Sequence, residues 1–310
     1  MIDGSPYVAF YPSDSLSLLD VHESQGLTRV ADVWRPNVAG REEAWLIDTT
    51  RPNVGRVANY LDGGRDNFEA DRKAARALVA VAPVIDLIAP AWHAFIRRVV
   101  RYLVLEAGVR QLLYVAVTLA ASNYAHELVW SVDPGCRILF VSSDAPVLAH
   151  ARAVMRFEPN GVAGHPKGAI GFVDAEISDP GAILVAAGKV LDFSQPVAVV
   201  LPFTLGLVAD TTAAADIVSA LAGAAPSGSH VVIHHPASEL NPAVAEAAQR
   251  WNQVSRQPIT LRSKDEVASL VSGLDLVAPG VVPIGEWRPA PGDPHFGPVI
   301  PLYGVVARKP

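Results

Sequence analysis

Hydrophobic positions follow two different periods along this 310-residue chain, and the change from one to the other divides it. Residues 1–50 follow neither period. Ser, Pro, Asp and isolated aromatics are mixed there, and the segment reads as an N-terminal arm. From Arg51 onward Val54, Val57 and Leu61 recur at helical spacing, with Pro52 suited to the first helical position. That helix is expected to stop at Gly63-Gly64, because tandem glycines supply the positive φ of a C-terminal cap. A second helix is expected over Phe68–Ala80 and a third over Ala91–Glu106. In the third, Phe95, Val99, Leu103 and Leu105 form the buried stripe, with Arg97, Arg98 and Arg101 turned outward. Residues 51–106 thus read as a helical segment.

The remainder, 107–310, alternates short apolar runs with helical stretches. Strands are expected at Gln111–Val117, Arg137–Val141, Ala169–Val173, Val197–Leu201 and His230–His234. Helical stretches are expected at Tyr124–Val132, Ala145–Phe157, Thr211–Ala222 and Pro242–Val254, with a helical turn around Pro180–Gly188. Strands that are apolar on both faces and alternate with helices predict an α/β fold with a mostly parallel, doubly wound sheet. Two further strands, Gly273–Val277 and Leu302–Arg308, close the chain around a Pro- and Gly-rich loop at Pro289–Pro298.

Composition narrows the function classes. Half the residues are hydrophobic and 18% are charged, which excludes a disordered chain and provides for a full core. A formal net charge of −6 without a Lys/Arg run argues against nucleic acid as a partner. The apolar stretches Leu112–Ala121 and Val197–Val208 fall short of the roughly 18 residues a membrane helix needs. With no basic start and apolar core of a signal peptide, a cytoplasmic location is expected. Cys136 is the only cysteine, so neither an internal disulfide nor a thiolate metal cluster is expected. No P-loop, nucleophile elbow or zinc pattern occurs.

Ligands of a doubly wound sheet bind beyond the carboxyl ends of its strands. The loops after the first two strands are therefore the places to look, and four stretches of the chain form a recognisable set: Arg51–Asp71 (RPNVGRVANYLDGGRDNFEAD), His93–Gln111 (HAFIRRVVRYLVLEAGVRQ), Val147–Arg152 (VLAHAR) and Arg262–Pro289 (RSKDEVASLVSGLDLVAPGVVPIGEWRP). In this order they resemble a bacterial, actinobacterial-type family of S-adenosylmethionine-dependent methyltransferases, long catalogued as a domain of unknown function. The resemblance covers roughly residues 47–310. It implies the class I methyltransferase (Rossmann-like) fold: a seven-stranded, mostly parallel sheet with an antiparallel last strand, preceded by a helical lid. Gly64, Asn67 and Phe68, with Tyr60, match a lid segment that in the family folds over the cofactor.

The chain departs from the family at the positions that hold S-adenosylmethionine. Members end the first strand with Leu-Asp-Ile-Gly-Thr/Ser-Gly; here Leu113–Thr118 replaces the Asp with Tyr114 and both glycines with Ala116 and Thr118. Those glycines let the backbone turn openly and approach the cofactor without a Cβ in the way. The second strand of the family ends in an acid that takes both ribose hydroxyls; here Ser142 occupies that place and Asp144 follows two residues later. A hydroxyl in place of that carboxylate forgoes charge-assisted hydrogen bonds worth about 1.5–3 kcal/mol. Glu176 keeps an acid near the expected adenine position, and a family His is replaced by Gly206.

Three readings follow. The leading one is a repurposed, cofactor-independent enzyme on the methyltransferase fold that binds a hydrophobic small molecule, with cyclisation or rearrangement in natural-product biosynthesis as its concrete form. His235, Tyr114, Tyr60 and Thr204 are its candidate catalytic residues, and His235 is the expected acid–base group. Adjacent residues of a strand point to opposite faces, so at most one of His234 and His235 lines a site. The alternative is a methyltransferase that still holds S-adenosylmethionine through Glu176, Asp144 and the lid. The third is a non-catalytic binding protein. His126-Glu127, His295 and the tryptophans are read as packing or surface residues. The oligomeric state is not encoded in any recognisable motif.

Overall fold

The computed structural model describes residues 7–9, 46–115, 119–144, 147–148 and 170–310, with the backbone alone at 7–9, 46–47 and 119–124. Of the helix expected over 145–157 only Val147 and Leu148 are described, both helical; its other residues and the turn positions Ala116 and Thr118 lie outside the described residues. The chain forms two compact units, Met1–Thr50 and Arg51–Pro310. In the first, β1 (Tyr7–Ala9) pairs antiparallel with β2 (Leu46–Asp48). Strands of three residues are too short to leave a period in the sequence.

The second unit opens with α1 (Val54–Leu61), α2 (Glu69–Val81), a short 3-10 turn at Pro83–Leu87, and α3 (Ile88–Arg101). Asn53, not Pro52, begins the first helix: its side chain accepts from the Gly55 and Arg56 amides, so Pro52 lies before the cap. Gly63 ends α1 at φ +78°, as the tandem glycines predict. The third helix passes into a π turn at Tyr102–Glu106. The wider π turn shifts the side-chain phase, which carries Leu105 out to solvent at 58% exposure, off the stripe predicted for it. Arg98 also departs from expectation. It is buried, donating to the carbonyls of Trp287 (2.7 Å) and Ile284 (2.6 Å) and to Asp293 (2.8 Å), and so ties α3 to the C-terminal segment.

The sheet contains β3 (Gln111–Val115), β4 (Arg137–Ser142), β5 (Ile170–Asp174), β6 (Ala198–Pro202), β7 (His230–Pro236), β8 (Asp275–Leu276) and β10 (Leu302–Arg308) in the order β5-β4-β3-β6-β7-β10-β8. The two-residue β9 (Val282–Pro283) pairs with β10 beside that path. Strands β3 to β7 run parallel, and β10 runs antiparallel to β7 and β8. The strands alternate strictly between two buried faces. Leu112, Tyr114, Ile138, Phe140, Val200 and Val232 pack beneath α3, α4 (Leu119–Val132) and α7 (Pro242–Val254). Leu113, Val115, Leu139, Val141, Val199 and Ile233 pack against α5 (Pro180–Ala187), α6 (Thr211–Ala224) and α8 (Lys264–Ser269). The helical turn expected around Pro180–Gly188 is thus a two-turn helix, while α8 gave too short a periodic run to be predicted. Among the described residues no single helix is long and apolar enough to cross a membrane.

Candidate functional site

The carboxyl ends of β6 and β7 open into an apolar cavity of about 190 Å³. Its floor is Pro202 at the end of β6 and Phe203 after it, His234 and Pro236 of β7, and Leu302 at the start of the antiparallel β10. Val57 and Leu61 of α1, Trp92 of α3, and Val244 and Trp251 of α7 close it from above and the side. Phe203 adopts φ +61°, a left-handed conformation costing a non-glycine residue about 1–3 kcal/mol. The strain is held by two backbone bonds: Phe203 N–H donates to the His234 carbonyl (3.0 Å), and Gly206 N–H donates to the Phe203 carbonyl (2.8 Å). Three titratable side chains line the cavity: Asp62, His93 and His234.

Strand alternation separates the two adjacent histidines, and the structure puts His234 rather than His235 on the cavity side. Its ring lies 4.0 Å from that of Trp92, centroid to centroid, and Nδ1 has no hydrogen-bond partner among the described residues. Burial, reinforced by the neighbouring His235, lowers its pKa to about 3, so the ring is neutral near pH 7. His235 points to the opposite face. Its Nδ1 lies 2.9 Å from the Pro236 carbonyl and its Nε2 2.7 Å from Nη1 of the buried Arg262, a pattern that fixes a neutral ring with the proton on Nδ1. Burial is also the main reason its pKa falls to about 4. Arg262 donates further to the Leu205 and Val208 carbonyls, 2.7 Å each, so His235 belongs to a clamp beneath the β6–β7 edge.

The other predicted catalytic residues are dispersed. Tyr114 is fully buried in the core beside Phe140 (5.5 Å between centroids), its hydroxyl has no hydrogen-bond partner among the described residues, and burial pushes its pKa up. The Thr204 hydroxyl, also buried, lies 3.0 Å from the carbonyls of both Val115 and Pro202 and ties the end of β6 to that of β3. Tyr60 packs beside Val57, Ala75 and Trp251 and bonds Arg76; it is not part of the cavity wall.

The lid motif builds the α1–α2 corner. Buried Asn59 accepts from the Asp66 amide and from Asn67 Nδ2, 2.9 Å each, and Asn67 Nδ2 also donates to the Gly64 carbonyl (3.0 Å). A Cβ on Gly64 would stand 2.3 Å from Asn59 Nδ2, so this close approach requires glycine. Asp71, fully buried, accepts from the amides of Asn53 (2.9 Å) and Phe68 (2.8 Å) and from Arg56 Nε (2.7 Å). The Arg56 guanidinium lies over the Phe68 ring at 5.3 Å.

This corner reaches the end of β4. Ser142 Oγ accepts from the Asp144 amide (3.1 Å), and the Asp144 carboxylate accepts from the Val147 amide (3.1 Å) and from Asn53. Burial raises the Asp144 pKa, against the pull of the Val147 amide, the Arg56 charge and Asn53. Glu176 lies exposed past β5. The structure therefore brings Ser142 and Asp144 under the lid helix, but it does not bring them to Tyr114, Thr204 or His235. His126 stacks edge-on to Trp130 (5.5 Å), and His295 is exposed in its loop.

Asp62 and His93 were not singled out in the sequence. They lie on different helices, and only the packing of α3 against α1 makes them neighbours. Trp92 read as core, yet its ring forms a cavity wall. The one usable signal was the alternation rule at His234-His235.

Comparison with known proteins agrees with this architecture. A family model described as S-adenosyl methyltransferase matches residues 40–310. A solved structure of a DUF574-family protein from Streptomyces avermitilis is 31% identical, covers 85% of this chain and 99% of its own length, and superposes with a TM-score of 0.77. A Thermobifida fusca protein of known structure is 28% identical, covers 88% of this chain and 99% of its own, with a TM-score of 0.73. No curated protein matches the chain. The family match over residues 40–310 and the like fold of a relative 31% identical lead to one assignment: the chain belongs to the S-adenosyl methyltransferase family.

Proposed function

We propose that this protein is a small-molecule enzyme that has kept the family's substrate chamber and rebuilt its cofactor cradle. The observation that carries the reading is the apolar cavity at the ends of β6 and β7, floored by the strained Phe203 and roofed by α1 and α3. A cavity of 150 Å³ holds a benzene ring, so about 190 Å³ suits a compact hydrophobic molecule of one substituted ring. Such a chamber works by shape and exclusion of water, the conditions for a cyclisation or rearrangement that adds no group.

The residues at the neighbouring strand ends do not fit S-adenosylmethionine in the usual way. The Ser142 hydroxyl accepts from the Asp144 amide, and the Asp144 carboxylate accepts from Val147 and Asn53, so a ribose would meet a hydroxyl where the family has a bidentate acid, beside a carboxylate already holding two other donors. Tyr114 fills core volume and offers the edge no carboxylate. No chemical step is therefore assigned to that cofactor. Methyl transfer is the second reading, favoured by family membership and by Asp144 lying within reach of the end of β4.

Thermal-shift titration with compact substituted benzenes tests the chamber. At a ligand concentration 100 times Kd, binding stabilises the native state by about 2.7 kcal/mol. The wild type should be stabilised, and Ala248→Phe, which fills the cavity from α7, should not. If no such compound stabilises the wild type, or the filled variant responds equally, the chamber is not the binding site.

A further inference from the structure

The Asp62–His93 pair is a polar feature in the wall of a mainly apolar cavity. Asp62 lines the cavity from the end of α1 and His93 from the second turn of α3. His93 Nε2 lies 3.4 Å from Asp62 Oδ2, and both side chains are about a fifth exposed, at 23% and 22%. At 3.4 Å their contact is longer than the 2.6–2.9 Å bonds by which Asp71 and Arg98 hold the fold. Hydrogen bonds of an unliganded site are often long and tighten only when the ligand is in place.

The walls and the pair together define what fits. A carboxylate accepts hydrogen bonds and donates none, so a ligand that meets Asp62 must bring a donor. A ligand carboxylate would be repelled by Asp62, and a ligand ammonium would have to lose its water against walls made mainly of Val, Leu, Ile and Trp. A neutral hydroxyl meets neither obstacle. His234 cannot substitute as a charged anchor, because its ring stays neutral between Trp92 and the sheet.

We infer that the cavity recognises a compact aromatic alcohol, with its ring against Trp92 and its hydroxyl donating to Asp62, and that His93 is the positioning residue that orients the Asp62 carboxylate. This inference rests on the chamber assigned above, and its test separates the two.

Three probes share one ring and differ in a single group: 4-isopropylphenol, 4-isopropylanisole and 4-isopropylbenzoate. Their affinities would be measured by calorimetry on the full chain. The phenol should bind about three- to tenfold tighter than the anisole, the range one net hydrogen bond provides. The benzoate should be the weakest. Asp62→Leu should abolish the preference for phenol while leaving the anisole affinity within about twofold. His93→Leu should reduce the preference, and His93→Gln, which keeps a donor toward Asp62, should restore it. Equal binding of phenol and anisole by the wild type overturns the inference and leaves the chamber standing, as does a preference that survives Asp62→Leu. If none of the three binds, both the inference and the chamber fall.

Discussion

Replacing Tyr114 by phenylalanine should make this protein more stable. The side chain is 1% exposed, and among the described residues its hydroxyl has no hydrogen-bond partner in the core between Phe140 and the helices above it. A buried hydroxyl without a partner carries its full desolvation penalty, about 1–3 kcal/mol. Phenylalanine removes that oxygen and keeps the ring, so the packing against Phe140 at 5.5 Å is retained. The net change is a gain of the order of the penalty. At about 2–4 °C per kcal/mol for large domains, Tm should rise by about 2–12 °C. Urea unfolding followed by circular dichroism gives the free energy directly, and an unchanged m-value would show that the unfolded state is not involved. Ligand binding in the β6–β7 cavity should be unaffected, because Tyr114 does not line it. A loss of more than about 1 kcal/mol would refute the reasoning, since it would mean the hydroxyl is bonded and useful.

Further outcomes follow from the same geometry. Asp71→Asn removes the fully buried carboxylate that pairs with the partly exposed Arg56 and should cost about 3–5 kcal/mol in urea unfolding; a loss below about 1 kcal/mol would show that the α1–α2 corner is held by other contacts. Gly64→Ala places a Cβ against Asn59 and should lower Tm measurably, whereas the same change at Gly63, where none of the described residues lies within 4 Å of the new Cβ, acts through its positive φ. Stability should also depend on pH. His230, His234 and His235 have folded-state pKa values lowered by burial to about 4, 3 and 4, so the unfolded chain binds protons first as pH falls. Their contribution is complete above the unfolded pKa of about 6.5 and is lost as pH falls toward 4, at up to about 1.4 kcal/mol per pH unit for each histidine. Urea midpoints measured at pH 7, 6 and 5 should fall in that order; a flat profile would contradict the buried, neutral assignment.

Much of the sheet was legible because its chemistry is local. The runs at 111, 137, 198 and 230 are apolar on both faces, and that alone marks parallel strands covered by helices. The phase of α3 was less legible. A π turn at 102–106 follows from how the helix meets its neighbours, and it moved Leu105 outward where strict 3.6-residue spacing put it inside. Arg98 read as a surface residue because its carbonyl partners, nearly two hundred positions away, leave no mark nearby. The pleat rule established that His234 and His235 face apart, but only the packed structure says which of them meets the cavity. The candidate site followed the same division. The substitutions at Tyr114 and Ser142 were visible as departures from a motif, whereas the Asp62–His93 pair depends on the crossing of two helices and has no sequence signature.

The central claim is that the substrate chamber persists while the cofactor cradle has been rebuilt. Calorimetric titration of the purified chain with S-adenosylmethionine and with S-adenosylhomocysteine tests it most directly. The account predicts no saturable heat with either compound in the micromolar range. Saturable micromolar binding of either would contradict it and establish the protein as a cofactor-binding methyltransferase.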